Sequence, residues 1–229
     1  MKVLIVGGPP AIGKTSIIKQ IVAEFAELTP VVLKIDVVKA FEDQELSCPV
    51  KIVYSGDLCP DHAGIVVMKD AIEWASQMYS KLLIIESAGL CLRCVPYINQ
   101  ALGIVVLSAT NGSNSPLKMV PMITFADVAV VTKIDLISQA EKEVFRECVK
   151  QVTSSIDIIE TNALQGTGLK YLMNLISEQP DIYNREAITL RGCPPLGVCT
   201  ICIGKKEIGW QNHFGVLRKL SSNLFYRGD

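Results

Sequence analysis

Histidine is nearly missing from this chain of 229 residues: only His62 and His213 occur. A histidine-rich tract for storing metal is therefore excluded. Neither sign of charge dominates. There are 22 Lys and Arg against 23 Asp and Glu, a formal net charge of -1. That balance argues against a nucleic-acid or membrane-surface partner. Long apolar runs are missing too. The runs at 3–6, 65–68, 82–85, 104–107 and 128–131 are all short, well below the roughly 20 residues of a membrane helix. They read as buried parallel strands and the apolar faces of covering helices. No signal-peptide pattern precedes Met1-Lys2-Val3-Leu4-Ile5-Val6, so a cytoplasmic location is expected.

What is present is a large apolar fraction, 49%, and eight cysteines. In a cytoplasmic chain, clustered cysteines bind metal or do redox chemistry more often than they form disulfides. Cys48 and Cys148 stand alone and read as small buried apolar residues. Strands are predicted near 2–6, 31–36, 51–54, 82–86, 103–108, 127–132 and 156–160. Helices are predicted near 14–27, 61–79, 138–151 and 168–177. In the first of these helices, Ile17, Ile18, Ile21, Val22 and Phe25 share one face. Strands alternating with helices predict an α/β fold with a mostly parallel sheet covered on both faces. Gln179-Pro180-Asp181 ends the last helix and sets a boundary. Residues 1–180 form the expected domain, and 181–229 a Cys-rich tail that packs on it or binds metal.

Residues 8–15 read Gly-Pro-Pro-Ala-Ile-Gly-Lys-Thr, the G-x-x-x-x-G-K-[ST] pattern of a P-loop. The predicted phosphate cradle comprises Gly8, Pro9, Pro10, Ala11, Ile12, Gly13, Lys14, Thr15 and Ser16. Glycines let backbone N–H groups turn toward phosphate, and the following helix adds its dipole. Lys14 reaches the outer phosphates, and the Thr15 hydroxyl coordinates Mg²⁺. Asp36 and Glu86 close two strands, so both fall at the carboxyl edge of the sheet beside this loop. There they can hold Mg²⁺ and position water. Gly89 offers an N–H that could sense the terminal phosphate. Lys14, Asp36, Glu86 and Gly89 form the predicted hydrolytic set.

Thr132-Lys133-Ile134-Asp135 resembles the N-K-x-D guanine signature. Asp135 would accept two hydrogen bonds from guanine, and the Lys133 stem would lie along the base. Thr132 stands where Asn is usual, and its short hydroxyl is expected to lose a tie to the phosphate loop. Asn162, Ala163 and Leu164 fall where a second base contact is expected.

In this order the motifs resemble the nickel-insertion GTPases of hydrogenase and urease maturation, HypB and UreG, within the SIMIBI class of P-loop proteins. The resemblance covers roughly residues 1–178. Ile35-Asp36 with Phe41-Glu42-Asp43 resembles the first switch, and residues 56–62 the metal-binding Cys-His segment. Residues 108–112, Pro116-Leu117-Lys118 and Ala126-Asp127 resemble the hydrogenase branch. The resemblance implies GTP hydrolysis, a homodimer and delivery of metal to a client enzyme. Ala11 and Ile12 stand where that family has small Gly and Ser, and the cysteine content is higher than its pattern.

Three groups of metal ligands are expected. Cys59 with His62 offers two ligands per chain, so two chains would supply a Cys₂His₂ set for Zn²⁺ or Ni²⁺. Cys91 and Cys94 form a C-x-x-C pincer directly after Gly89. Paired across a dimer, they would supply four thiolates for Zn²⁺ or an iron–sulfur cluster. Cys193, Cys199 and Cys202 fall within ten residues of the tail, with Cys91, Cys94 or His213 as a possible fourth ligand. The leading expectation is a GTP- and Mg²⁺-dependent factor that loads or assembles a metal centre in a client metalloenzyme. An iron–sulfur electron donor gated by nucleotide, acting on a metallo- or corrinoid enzyme, is the alternative. A regulatory GTPase with structural zinc is a third reading.

Overall fold

The computed structural model describes residues 1–37, 46–55, 59–89, 96–162, 166–193 and 206–209. Among these residues, seven strands form one sheet: β1 (Lys2–Gly7), β2 (Val31–Asp36), β3 (Val50–Tyr54), β4 (Leu82–Glu86), β5 (Leu102–Ser108), β6 (Val128–Thr132) and β7 (Asp157–Glu160). Their order is β3-β2-β4-β1-β5-β6-β7, and every pairing is parallel. The helices are α1 (Lys14–Glu24), α2 (Pro60–Gln77), α3 (Val120–Thr124), α4 (Gln139–Val152) and α5 (Lys170–Glu178). This is the expected P-loop α/β architecture. The central strands are apolar on both faces, as a sheet covered twice requires.

Alternation along β1 divides the core. Leu4 and Val6 face α1 and α5, packing with Ile17, Ile18, Ile21, Leu172 and Ile176. Val3 and Ile5 face the other way, toward α2 and its Ile65, Met68, Ala71 and Trp74. Beyond β5, that second face is covered by Met122, Ile123, Phe145 and Val149 of α3 and α4. Helix α4 starts with a full capping box, Ser138 and Glu141 bonding each other's backbone N–H, which fixes its first turn. Its polar surface still buries Phe145, Cys148 and Val149.

Residues after 180 complete the α2 face. Ile188, Leu190 and Ile208 are buried in the same cluster as β1 and α2. The Met1 amino group pairs with Asp181 at 2.5 Å, and Ile182 N–H donates to the Met1 carbonyl. Cys148 is 7% exposed, and half-buried Cys48 packs against the α1-side cluster. Both behave as the small apolar residues expected. Among the described residues, no helix is long and apolar enough to cross a membrane.

Candidate functional site

The strand order reverses at β1, whose neighbours β4 and β5 continue in opposite directions across the sheet. The carboxyl end of β1 is therefore the crevice where α/β sheets bind ligands. From Gly7 the chain turns through residues 8–13 into α1. Gly8 has φ +133°, and a Cβ there would collide with the Val106 carbonyl and the Ile12 side chain. Gly13 caps α1 at φ 99°. Ala11 takes the left-handed region at φ 59° without being glycine. Ile12, 2% exposed, plugs the loop into the α1-side core. The two residues that depart from the small family pattern thus have structural roles: one takes a glycine-like turn and the other anchors the loop.

Lys14 is 6% exposed. Its ammonium donates to the carbonyls of Gly8 and Pro9, both at 2.9 Å. Burial lowers its pKa, and the nearby Glu86 carboxylate opposes that shift. Glu86 is 4% exposed, and burial raises its pKa against the pull of Lys14 and Lys34. The Thr15 hydroxyl donates to Glu86 Oε1 at 3.2 Å. Asp36 accepts the Val37 N–H at 2.8 Å and lies 3.8 Å from Lys34 Nζ. Gly89, at φ +69°, rests on the phosphate loop so closely that a Cβ would strike the Gly8 carbonyl oxygen.

Lys14, Thr15, Ser16, Lys34, Asp36, Glu86 and Ser87 share the wall of one cavity of about 360 Å³ with Pro10, Ala11 and Gly13. Among the described residues, the buried Ser87 hydroxyl has no hydrogen-bond partner. The donor set on this wall is hard oxygen: the Thr15 hydroxyl against the Glu86 carboxylate, with the Asp36 carboxylate and the Ser16 and Ser87 hydroxyls in the same lining. Such a set fits Mg²⁺. The helix start, the turned backbone and the buried lysine fit a polyphosphate.

The segment expected to meet the base is fastened to this loop. The Thr132 hydroxyl donates to the Ile12 carbonyl at 2.7 Å, with the Leu107 carbonyl at 3.1 Å as its other acceptor. The expected loss of a tie at Thr132 is thus corrected. Thr132 ends β6 directly beside the loop, so a short hydroxyl suffices. Lys133, at φ 59°, reaches back to the Ala11 carbonyl at 3.1 Å. Asp135 is exposed in a 3-10 turn over Ile134–Leu136, open to a ligand. Asn162 bridges Thr167 just beyond β7. Ala163 and Leu164 lie outside the described residues.

The thiolates are spread more widely. Cys59 caps the start of α2 and is half-buried, and His62, inside α2, is 1% exposed. Cys193 is exposed. Cys91, Cys94, Cys199 and Cys202 lie outside the described residues, as do His213 and the switch residues 41–43. Among the described residues, no group of three or more His, Cys, Asp or Glu is arranged to hold a metal.

Two features escaped the sequence reading. One is Lys34, a cation inside the otherwise apolar run 31–35, which was a readable signal. The other is Arg191, which spends all five of its side-chain N–H donors. Nε bonds the Ile98 carbonyl, and Nη1 the Phe125 carbonyl and Asp127. Nη2 bonds the Ala101 carbonyl and again Asp127. The Arg191 N–H also donates to the Tyr97 carbonyl at 2.8 Å. Tyr97 in turn lies across β1 and β5: a Cβ at Gly7 or Gly103 would meet its ring or hydroxyl. Arg191 and its partners are far apart in sequence, so no local pattern announced the clamp.

Residues 2–160 match the family described as CobW/HypB/UreG, nucleotide-binding domain. An uncharacterized protein of Methanocaldococcus jannaschii is 41% identical over all of both chains. The urease accessory protein UreG of Yersinia pestis is 28% identical, covering 75% of this chain and 86% of its own length. Among solved structures, HypB from Helicobacter pylori in complex with nickel aligns with a TM-score of 0.65 at 20% identity. That alignment covers 80% of this chain and 91% of the other. HypB from Archaeoglobus fulgidus aligns at 0.62 and 19% identity, covering 77% and 89%. At these identities the structural likeness concerns the fold.

Proposed function

Since this chain belongs to the CobW/HypB/UreG family of nucleotide-binding domains, we propose that it is a GTP-hydrolysing maturation factor that delivers or assembles a metal centre in a client metalloenzyme. The observation that carries this is the joining of Thr132 and Lys133 to the phosphate loop, two residues before the exposed Asp135, with Thr15 against Glu86 in the cavity beside that loop. Lys14 and the backbone N–H groups of residues 11–16 would hold the phosphates, Pro9 and Pro10 having none to give. Asp135 would read guanine, with Asn162 and the segment after it on the far side of the base. Thr15, Glu86 and Asp36 would hold Mg²⁺, which neutralises phosphate charge when bound. Glu86 or Asp36 would orient the attacking water.

The metal cargo is proposed on the thiolates. The chain leaves Gly89, seated on the phosphate loop, and returns to described structure at Pro96. Tyr97 there lies against Gly7 and binds Arg191, two residues before Cys193. In the sequence, Cys91 and Cys94 fall between Gly89, which rests on the phosphate loop, and Tyr97, which holds the tail through Arg191. That supports coupling of nucleotide state to thiolate geometry, with Cys193, Cys199, Cys202, Cys59 and His62 as further candidate ligands. Soft thiolates suit Zn²⁺ or Ni²⁺, and the nickel in the Helicobacter pylori HypB structure supports nickel as a cargo. Nucleotide-driven closure of a homodimer would bring the thiolates of two chains together, and hydrolysis would reopen it. A nucleotide can only shift states that it binds unequally.

The test is metal analysis with an absorption spectrum on the full chain purified without oxygen, with and without GTP and Mg²⁺. Zinc or nickel at about one per chain or per dimer, the usual occupancy of a single thiolate site, together with GTP turnover, is the expected result. Iron with labile sulfide and a brown chromophore would move the reading to the nucleotide-gated electron donor. A chain that binds no GTP would overturn both.

A further inference from the structure

We infer that Lys34 is a second phosphate-contacting cation, which meets the terminal phosphate opposite Lys14 so that one chain supplies both charges. This rests on the nucleotide-hydrolysing reading above and names a further residue for it.

The register of the sheet places Lys34. Lys34 is the Cα partner of Glu86 across β2 and β4. Paired residues on neighbouring parallel strands face the same side, so Lys34 shares the face that carries the phosphate loop. Its side chain is 14% exposed and lies 3.8 Å from Asp36. It lines the same cavity as Lys14 and Thr15, and among the described residues Lys14 and Lys34 are the cations of that lining. Lysine is rarely buried to this extent unless its charge is used.

Charge balance says how it is used. Before a ligand arrives, Lys14 and Lys34 face Glu86 and Asp36, so the wall is near neutrality. A nucleoside triphosphate with one divalent ion adds net negative charge. Mg²⁺ bound at Thr15 and Glu86 would occupy carboxylate oxygens that Lys34 neighbours. A lysine on a flexible four-carbon stem can then turn its ammonium from carboxylate to phosphate. Charge that grows on the terminal phosphoryl oxygens during hydrolysis is what such a cation stabilises. A nucleoside diphosphate lacks that group. The signature of Lys34 is therefore discrimination between GTP and GDP, together with turnover.

The test compares the wild-type chain with Lys34→Gln and Lys34→Arg, measuring GTP and GDP affinity with Mg²⁺, GTP turnover and Tm. Lys34→Gln is expected to weaken GTP binding and turnover about tenfold or more, the scale of one charge-assisted hydrogen bond. GDP affinity should stay within about threefold, and Lys34→Arg should recover most of both losses. Unchanged GTP affinity and turnover in Lys34→Gln would overturn the inference. So would equal weakening of GTP and GDP with a lowered Tm, which would make Lys34 a counter-ion for Asp36 and Glu86 alone. If the wild type itself binds neither nucleotide, the nucleotide reading falls and takes this inference with it.

Discussion

On the α1 face of the sheet, the functional groups come from short contiguous motifs. On the α2 face, they are held by contacts between segments about 90 residues apart. The phosphate loop, Thr15, Glu86 and the Thr132–Asp135 turn each follow directly from the end of a strand, so chain connectivity alone brings them to one edge. The residues after 180 have no such guide. They reach the sheet through buried Ile188, Leu190 and Ile208 and through the Arg191 clamp. Strand ends deliver one set of groups to a common edge, where ties such as Thr132 to Ile12 fasten them, whereas the other set has tertiary contact alone, so the two should fail independently.

Arg191→Ala breaks the comparison hardest. It removes five side-chain hydrogen bonds and leaves Asp127 and three backbone carbonyls without this partner. The loss should be about 3 kcal/mol of stability, because the residues left behind lose charge-assisted partners in a partly enclosed site. Arg191→Lys should recover little, since an ammonium cannot reproduce the planar fork. Urea unfolding measures the loss, and limited proteolysis should show cleavage first in the residues after 180. GDP affinity of the undigested protein should stay within about threefold, given that additivity holds for sites with no shared partners. A parallel collapse of nucleotide binding would mean the faces are one cooperative unit.

The same division explains what the sequence made legible. Strand and helix positions were readable because β1, β4, β5 and β6 are unbroken apolar runs, and because α1 carries its apolar stripe at helical spacing. The phosphate loop was readable because a backbone cradle needs glycines at fixed offsets. Gly89 against Gly8 was readable only as a position; the close backbone contact needed the fold. The tie at Thr132 was misjudged because side-chain length was weighed without the distance it had to span. Arg191 and Tyr97 were invisible as partners because a hydrogen bond between distant segments leaves no periodicity. Lys34 was visible as an anomaly, a charge in a buried strand, but its cavity was not.

A smaller effect sharpens the α1 side. Glu86 has a pKa raised by burial, although Lys14, Lys34 and the Thr15 hydrogen bond oppose the shift. A carboxyl whose folded pKa lies above its ordinary value of 4.5 contributes stability at low pH. That contribution is lost as pH rises through the folded value. In Glu86→Gln this titration is absent. The Tm of the variant minus that of the wild type should therefore increase as pH goes from below 4.5 towards 8, whatever its offset. Mg²⁺-dependent GTP turnover should fall at least tenfold, as for loss of one group on the reacting phosphate. A flat Tm difference would show that Glu86 keeps its ordinary affinity for protons, and one that falls with pH would show that folding lowers that affinity.

Thr132→Val keeps the shape and deletes the hydroxyl that donates to the Ile12 carbonyl. About 1–2 kcal/mol should be lost, the scale for a buried carbonyl left without its donor. Because the tie joins the phosphate loop to the base segment, guanine-nucleotide affinity should fall with it. Phosphate affinity should hold, since Lys14 and the turned backbone are untouched. Thr132→Asn tests whether a longer side chain makes the same tie. Weaker binding in Thr132→Asn than in the wild type would show that this loop is spaced for a hydroxyl.

The smallest effect falls on Ala11, and its sign is the informative part. Ala11 is exposed and left-handed at φ 59°. That conformation costs an L-residue with a Cβ roughly 1–2 kcal/mol and costs glycine little. Glycine, however, loses more chain entropy on folding, by roughly 0.5–1 kcal/mol. Ala11→Gly should therefore stabilise the chain by about 0.5 kcal/mol, as the difference between these opposing terms. The Lys133 contact to the Ala11 carbonyl is made by backbone and survives the change. Nucleotide affinity should accordingly stay within about twofold, a shift below RT at room temperature. A destabilised Ala11→Gly would mean that the rigidity Ala11 gives the loop outweighs its strain. Faster nucleotide association with unchanged stability would instead place the value of Ala11 in slowing the loop's opening.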